Sequence, residues 1–289
     1  MTDLAQSLAP SSRKKNAGFT LVELVMVIVI MGVIGAAVSV FMRGPIDAYL
    51  SMGRRGGLTD VADTTVRRIG RDVRRALPNS IRVPNSSCLE FIPTKTGGRY
   101  RAQEKVPGDD TSLDTSKSDS TFNMFGDNAT FATIALPPEQ IIVPNDLIVV
   151  YNQQTAGDNA YAGDNYSPVT AVGATSLGET PIFITAKQFP LASASYRFHV
   201  VPANEQLVTY KCSGTNLYRT VSNLPAPVAV CPSSGSIIAT NVNCATTSFT
   251  YSGPDLARNA LVSMVLNIQD SSATESVTLQ HEVHVDSTP

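Results

Sequence analysis

From Leu24 to Met42 the chain carries no charged residue and scarcely a polar one. About 19 such residues, each rising 1.5 Å in a helix, come close to crossing a ~30 Å hydrocarbon layer, so a membrane-spanning helix is expected here. A ten-residue secretory signal core would not reach. Past Met42 the helical pattern falters at Gly44-Pro45 and again at Gly53, Gly56 and Gly57. These residues lower helix propensity by about 1 to 3 kcal/mol each, which predicts a kink or melted turn. Helix is expected again near Thr59, where Val61, Thr65, Ile69, Val73 and Leu77 recur every four residues on one face, until Pro78-Asn79 ends it.

From Ile81 the period becomes two, in short runs broken by Gly, Pro, Asn and Ser, the pattern of antiparallel strands with long loops. Strands are expected over 89–93, 140–143, 147–151, 181–184, 197–201, 207–212, 217–220, 249–251, 261–268 and 276–285. In the last, Val277, Leu279, His281, Val283 and Val285 alternate with Thr278, Gln280, Glu282 and His284, so one face packs and one is wet. The fold class that follows is α+β: a long N-terminal helix, membrane-spanning in its first half, then an antiparallel β-sheet-rich globular head. Two polar tracts, 108–121 and 155–167, read as exposed loops. Their acids (Asp109, Asp110, Asp114, Asp119, Asp158 and Asp164) do not follow the ligand spacing of a calcium loop, and no metal is expected in them.

Composition adds limits. At 289 residues with 43% hydrophobic content the chain has ample material for a core, and a net charge of -2 gives no support for a nucleic-acid partner. The one arginine cluster, Arg67, Arg68, Arg71, Arg74 and Arg75, suits a solvated helix face or an acidic partner surface. Four cysteines, Cys88, Cys212, Cys231 and Cys244, lack zinc-like spacing and suit disulfides in an oxidising compartment. Three pairings of the four are open; Cys212 with Cys231 and Cys88 with Cys244 is favoured, because the first pair brackets an apparent hairpin. His281 and His284 point to opposite faces of one strand and cannot share an ion. No nucleophile elbow, phosphate loop or other catalytic constellation is found, and neither enzyme activity nor a cofactor is expected.

The start of the chain is the most informative part. Arg13, Lys14 and Lys15 form a basic knot that should stay cytoplasmic, placing everything after Arg43 outside. Gly18-Phe19 precedes the apolar run, whereas an ordinary secretory signal is cleaved after it. Glu23 lies inside the start of the run, where a carboxylate without a partner costs about 2.5 to 3.5 kcal/mol on insertion scales.

The run from Lys14 to Leu24, KKNAGFTLVEL, closely resembles the cleavage and methylation signature of type IV prepilins and pseudopilins. The resemblance implies that prepilin peptidase cuts between Gly18 and Phe19 and methylates the new amino terminus at Phe19. It also implies that Glu23, then fifth, answers the N-terminal amine of a neighbouring subunit during assembly. The expected organisation is a leader at 1–18, a pilin helix at 19–78 with its transmembrane half at 19–42, and a periplasmic or extracellular β-rich head at 79–289. Expected partners are prepilin peptidase, the major pilin and other minor pilins, the inner-membrane assembly platform and membrane lipid. The location implied is the inner membrane, in a single pass, and then a pilus or pseudopilus tip. The length of the chain, with segments 76–78, 89–94, 97–101 and 281–285, looks like minor pilins of the mannose-sensitive haemagglutinin (MSHA) pilus. J-type minor pseudopilins of type II secretion share these broad features, and a membrane-anchored adhesin is a third reading.

Overall fold

The computed structural model of the chain describes residues 18–253, 260–272 and 274–285. It divides into two compact units, one up to Gly53 and one from Arg54 onward. A helix, α1 (Leu21–Arg74), supplies the first unit and enters the second. It continues through Gly44-Pro45 and through Gly53, Gly56 and Gly57, where the sequence predicts a break. An internal proline removes one N–H bond at a cost of ~3 kcal/mol. A melted turn strands several backbone groups at once, and close to a bilayer each stranded group is worse by several kcal/mol. The glycines are bridged by cooperativity, since good helix formers on both sides have already met the cost of nucleation.

Sixteen strands follow among the described residues. The first are β1 (Arg82–Asn85), β2 (Cys88–Phe91), β3 (Thr96–Arg99) and β4 (Asp119–Phe125). Next come β5 (Thr130–Phe131), β6 (Ile134–Ala135), β7 (Leu147–Val149), β8 (Tyr166–Val172) and β9 (Glu179–Lys187). The series continues with β10 (Arg197–Val201), β11 (Leu207–Ser213), β12 (Asn216–Ser222) and β13 (Ser236–Thr240), and closes with β14 (Ser248–Ser252), β15 (Ala260–Gln269) and β16 (Ser276–Val285). They form a five-stranded sheet in the order β1-β2-β11-β12-β13, a six-stranded sheet β3-β10-β7-β8-β9-β4, a three-stranded sheet β14-β15-β16 and the small β5-β6 pair. Because β2 and β11 are direct antiparallel neighbours, the six-stranded sheet is an insertion between two adjacent strands of the first.

The main core forms where the second part of α1 lies on the five- and three-stranded sheets. Ala62, Val66, Ile69 and Val73 meet Leu89, Phe91, Tyr210 and the inward residues of β15 and β16. Burial of each large aliphatic side chain contributes about 1.5 to 3 kcal/mol. Four residues of the ladder read in the sequence, Thr65, Ile69, Val73 and Leu77, are buried as expected; Val61 is 44% exposed, and Ala62 and Val66 widen the stripe. Four residues turn a helix by about 400°, so the ladder drifts by about 40° at each step and its first member, Val61, turns away from the sheets. The drift is absorbed by mixing steps of three and four. Gly70 allows the closest approach, since a Cβ there would lie 3.1 Å from His281 Nε2 and 3.4 Å from Val283 Cγ2. Helix α1 stops at Arg74, short of Pro78, because the residue before proline prefers extended backbone and β2's continuation offers partners. Leu77 N–H donates to the Ile92 carbonyl (2.7 Å), and Thr94 N–H to that of Arg75 (2.7 Å).

The inserted sheet has its own core, including Tyr100, Phe122, Ile148, Ile182, Phe189 and Phe198. A bridge between Tyr100 and Met124 joins the β3 side to β4, the two ends of the strand order, so the sheet curls toward a barrel. Glu179, at the start of β9, accepts from Arg101 Nε (3.1 Å) and Asn123 Nδ2 (2.9 Å) and pairs with Lys105 Nζ (3.1 Å). The Arg101 guanidinium, helped by Asn123, holds its carboxyl down to about 2. A third cluster, with Leu77, Ile92, Leu147, Val149, Tyr161, Val201 and Leu207, forms the seam that joins the insertion to the helix-packed sheet.

Three expectations are corrected. Residues 140–143 form no strand: Pro138–Gln140 is a 3-10 turn, and Asn128 occupies both backbone groups of Ile142, donating to its O and accepting from its N, each at 2.8 Å. The two polar tracts are not simply exposed loops, since Leu113, Asp119, Asp158, Asn165 and Ser167 are buried and β4 and β8 begin inside them. The disulfides are Cys88–Cys231 and Cys212–Cys244, not the favoured pairs. Cys88 stands opposite Lys211 in the β2–β11 register, so Cys212, one residue on, faces the other side of the sheet. Cys212 and Cys244 meet at the helix-packed core, which excludes Cys88.

Two outcomes follow. Non-reducing peptide mapping recovers peptides linking Cys88 to Cys231 and Cys212 to Cys244, and loss of the second bridge in a double Cys→Ser variant lowers stability by about 2 to 4 kcal/mol in denaturant unfolding. Glu179 has a folded-state pKa below its unfolded value of about 4.3, so its contribution is fully present above that pH and disappears as pH falls toward 2. Acid titration of the folded protein shows a loss on the order of 2 kcal/mol over that window, and Glu179→Gln removes it.

Candidate functional site

Among the described residues the functional candidates gather at the N-terminal end of α1. Gly18 and Phe19 precede the helix and are exposed, Phe19 at 84%. Arg13, Lys14 and Lys15 lie outside the described residues. Every residue from Leu21 to Leu50 is exposed, including the whole uncharged run, as a lipid-facing or helix-packing surface requires. A helix apolar on all sides is not the design of a lone helix in water.

Thr20 and Glu23 close the helix start reciprocally. The Thr20 hydroxyl accepts from Glu23 N–H (3.2 Å), while Glu23 Oε2 accepts from Thr20 N–H and from the Thr20 hydroxyl, both at 3.0 Å. The first helical bond follows, from Leu24 N–H to the Thr20 carbonyl at 3.2 Å. This is a capping box, in which two donors left over at the helix start are satisfied by side chains. The negative carboxylate also sits at the positive end of the helix dipole. The sequence carries the signal as Thr20-Leu21-Val22-Glu23 before an apolar run, and reading Glu23 only as a cost overlooked it. The need for a partner is therefore met partly within the chain, and by itself it does not demand a second subunit. Glu23 Oε1 accepts no hydrogen bond among the described residues.

At the other end of α1, Arg67, Arg68, Arg71, Arg74 and Arg75 are all exposed. Arg67 pairs with Asp63 (2.7 Å) and Arg75 Nε donates to the Thr94 carbonyl (3.2 Å), whereas Arg68, Arg71 and Arg74 make no ion pair among the described residues. Arg71 and Arg74 favour the helix C-terminus simply as cations near its negative end. Asp72, on the neighbouring face, accepts from Tyr210 Oη (2.7 Å) and Arg219 Nε (2.9 Å), docking the last turn onto β11 and β12. Burial raises the Tyr210 hydroxyl well above the usual tyrosine range, with the Asp72 charge adding to the shift.

No group of three or more His, Cys, Asp or Glu side chains converges as metal ligands among the described residues. His281 lies against Gly70 of α1 and His284 is exposed on the opposite face of β16. The four cysteines are all consumed in disulfides.

Compared with known families, residues 13–39 match the prokaryotic N-terminal methylation motif. The match takes in the basic knot, Gly18, Phe19, Glu23 and most of the apolar run, a small part of the chain. No curated protein and no solved structure matched the chain. The motif and the apolar helix together fit a membrane-anchored, type IV pilin-like substrate of prepilin peptidase, a class that is structural rather than catalytic.

The cap yields a measurable expectation. Thr20→Val removes the hydroxyl and with it about 0.5 to 2 kcal/mol of helix-start stability. Amides of Leu21 to Leu24 in the detergent-solubilised protein then exchange with deuterium several-fold faster, while those of the buried stripe near Ile69 keep their rates.

Proposed function

We propose that this chain is a minor subunit of a type IV pilus, of the MSHA kind, which begins or caps the filament. The observation that carries the reading is the methylation motif, with its glycine-phenylalanine pair just ahead of the apolar run and a glutamate fifth beyond the cut. Prepilin peptidase cleaves between Gly18 and Phe19 and methylates Phe19. Arg13, Lys14 and Lys15 hold that end in the cytoplasm, residues 19–42 span the inner membrane, and the head from residue 79 lies in the periplasm. A flexible glycine fits such a cleft because its backbone enters extended without a side chain to exclude. Glu23 keeps Oε2 on the capping box and offers Oε1 to the new amine of a neighbour, so intramolecular and intermolecular roles coexist. Assembly then proceeds on the inner-membrane platform, through helix packing with the major and other minor pilins.

Two features favour the tip over the shaft. The insertion β3–β10 adds a second sheet to the one on which α1 packs, a bulk that crowds a shaft of closely stacked heads. The exposed arginine face of α1 suits acidic surfaces on minor pilins below it. The finer assignment, to the O-type MSHA biogenesis protein, is supported by the segments 76–78, 89–94, 97–101 and 281–285.

Mass spectrometry of sheared filaments tests this reading. The expected result is a chain starting at N-methylphenylalanine 19 and present at low copy relative to the major pilin, and absent when Glu23→Ala replaces the wild type. Abundance equal to the major pilin overturns the tip role, and a chain beginning elsewhere overturns the processing.

A further inference from the structure

We propose that Arg99 and Arg197 form an oxyanion-binding site on the inserted sheet, suited to a phosphate monoester group held in the open depression between β3 and β10. The register brings the two arginines together. Arg197 stands directly opposite Arg99, and His199 directly opposite Gly97. Tyr100 N–H donates to the Tyr196 carbonyl at 2.8 Å, so residues 100 and 196 are a hydrogen-bonded pair and the next pair along, 99 with 197, is not. In an antiparallel ladder the pairs without hydrogen bonds are the closer ones, with Cα atoms about 4.5 Å apart. Side chains two residues apart share a face, so Arg197 and His199 project from the side of β10 that Arg99 and Gly97 occupy on β3. Phe198 and Tyr100 take the other side and are buried in the core of the insertion.

This placement is unfavourable for the chain alone, because like charges directly opposite one another on neighbouring strands repel. Elsewhere in the head Arg54, Arg82, Arg101 and Arg219 each face a carboxylate. Arg99 and Arg197 are exposed and make no ion pair among the described residues. Nor does an acid line the depression, whose walls are Gly97, Gly98, Arg99, Arg197, Phe198 and His199 around about 270 Å³. The glycines keep it open and keep the strands close. A Cβ on Gly97 would lie 2.8 Å from the Phe198 carbonyl oxygen, and one on Gly98 2.9 Å from the Phe198 ring. Beside the arginines, therefore, no side chain rises from β3 opposite His199.

A phosphate monoester supplies what the pair lacks. It carries close to two negative charges, one for each guanidinium, and its oxygens accept from the planar forks of N–H donors that arginine presents. A carboxylate brings a single charge and is satisfied by one fork. Because the depression is open, the group can be free phosphate or the end of something larger, such as a sugar phosphate or a phospholipid headgroup.

The test is a titration of the full chain in detergent with sodium phosphate, at an ionic strength held constant by sodium chloride, followed through the arginine Nε–H NMR resonances. Saturable shifts confined to Arg99 and Arg197 are expected, with a dissociation constant of about 1 to 10 mM. Glucose 6-phosphate and a short-chain phosphatidic acid, titrated in the same way, separate the sources: the tightest binder names the carrier, and equal affinities make the free ion the ligand. Arg99→Gln and Arg197→Gln each weaken uptake at least about fivefold, and Arg99→Lys, which keeps the charge without the fork, weakens it less. Arg68→Gln on α1, exposed and also without an ion pair, leaves it unchanged. In chloride alone Arg99→Gln unfolds at the wild-type temperature or above it, since the repulsion is gone, which separates loss of binding from loss of fold. Absence of saturable shifts up to about 50 mM with all of these phosphates overturns the proposal, as do shifts that neither arginine variant reduces.

Discussion

One buried stripe on the second part of α1 organises the head. Ala62, Val66, Ile69 and Val73 are fully or almost fully inside, and the strands that cover them come from both ends of the head sequence, β2 near its beginning and β15 and β16 at its close. Without the helix, those inward faces would have no common surface to bury against. Gly70 sets how near β16 can come, because any Cβ there meets His281 and Val283. The last turn is then fixed by polar groups: Asp72 accepts from Tyr210 and Arg219, and just beyond it Leu77 N–H donates to the carbonyl of Ile92, the residue after β2. Apolar burial supplies most of the energy, and the directional bonds choose the orientation.

The insertion between β2 and β11 obeys a different logic. It has a separate aromatic-rich core and communicates with the helix-packed sheets through the narrow seam around Leu77, Val149 and Tyr161. Polar groups are concentrated there. Arg82 lies 3.6 Å over the Tyr161 ring and pairs with the buried Glu90, whose other oxygen accepts from Thr209 Oγ1 at 3.0 Å. Lys95 and Asp146 form a second buried pair at 2.6 Å. Such pairs add little net stability over apolar packing, but removing one partner leaves an uncompensated charge, so each fixes the local arrangement of its own lobe beside the seam.

At the N-terminal end the same economy of groups appears. Glu23 closes the helix start through Thr20 and keeps one oxygen without a hydrogen bond among the described residues. A purely apolar helix start would leave its first N–H groups unsatisfied in a membrane interface, where water competes poorly. Within the chain, the glutamate is explained by the helix start it satisfies.

How much of this was legible in the residues depends on the range of the interaction concerned. Local periodicity was enough for the apolar run, the α+β class, the strands 197–201 and 276–285 with their boundaries, and the wet and packed faces of β16, because alternation and turn residues act within a few positions. The capping box was equally local and could have been read. The continuity of α1 across Pro45 and four glycines was not, since it depends on cooperative gain along the whole helix against a local penalty. Nor was the pairing of Cys88 with Cys231, which follows from which side of β2 and β11 each sulfur faces once a long-range register exists. Ile142 held by Asn128 and Asp158 buried beside Asn165 belong to the same group: each polar residue looks like loop until the chain brings its partner from elsewhere. The sequence by itself determined the apolar helix start, the α+β class and many of the strands, because those rest on nearest-neighbour patterns. Tertiary structure alone decided insertion, disulfide pairing and the buried polar seam, because contacts between residues far apart in the chain have no periodic signature.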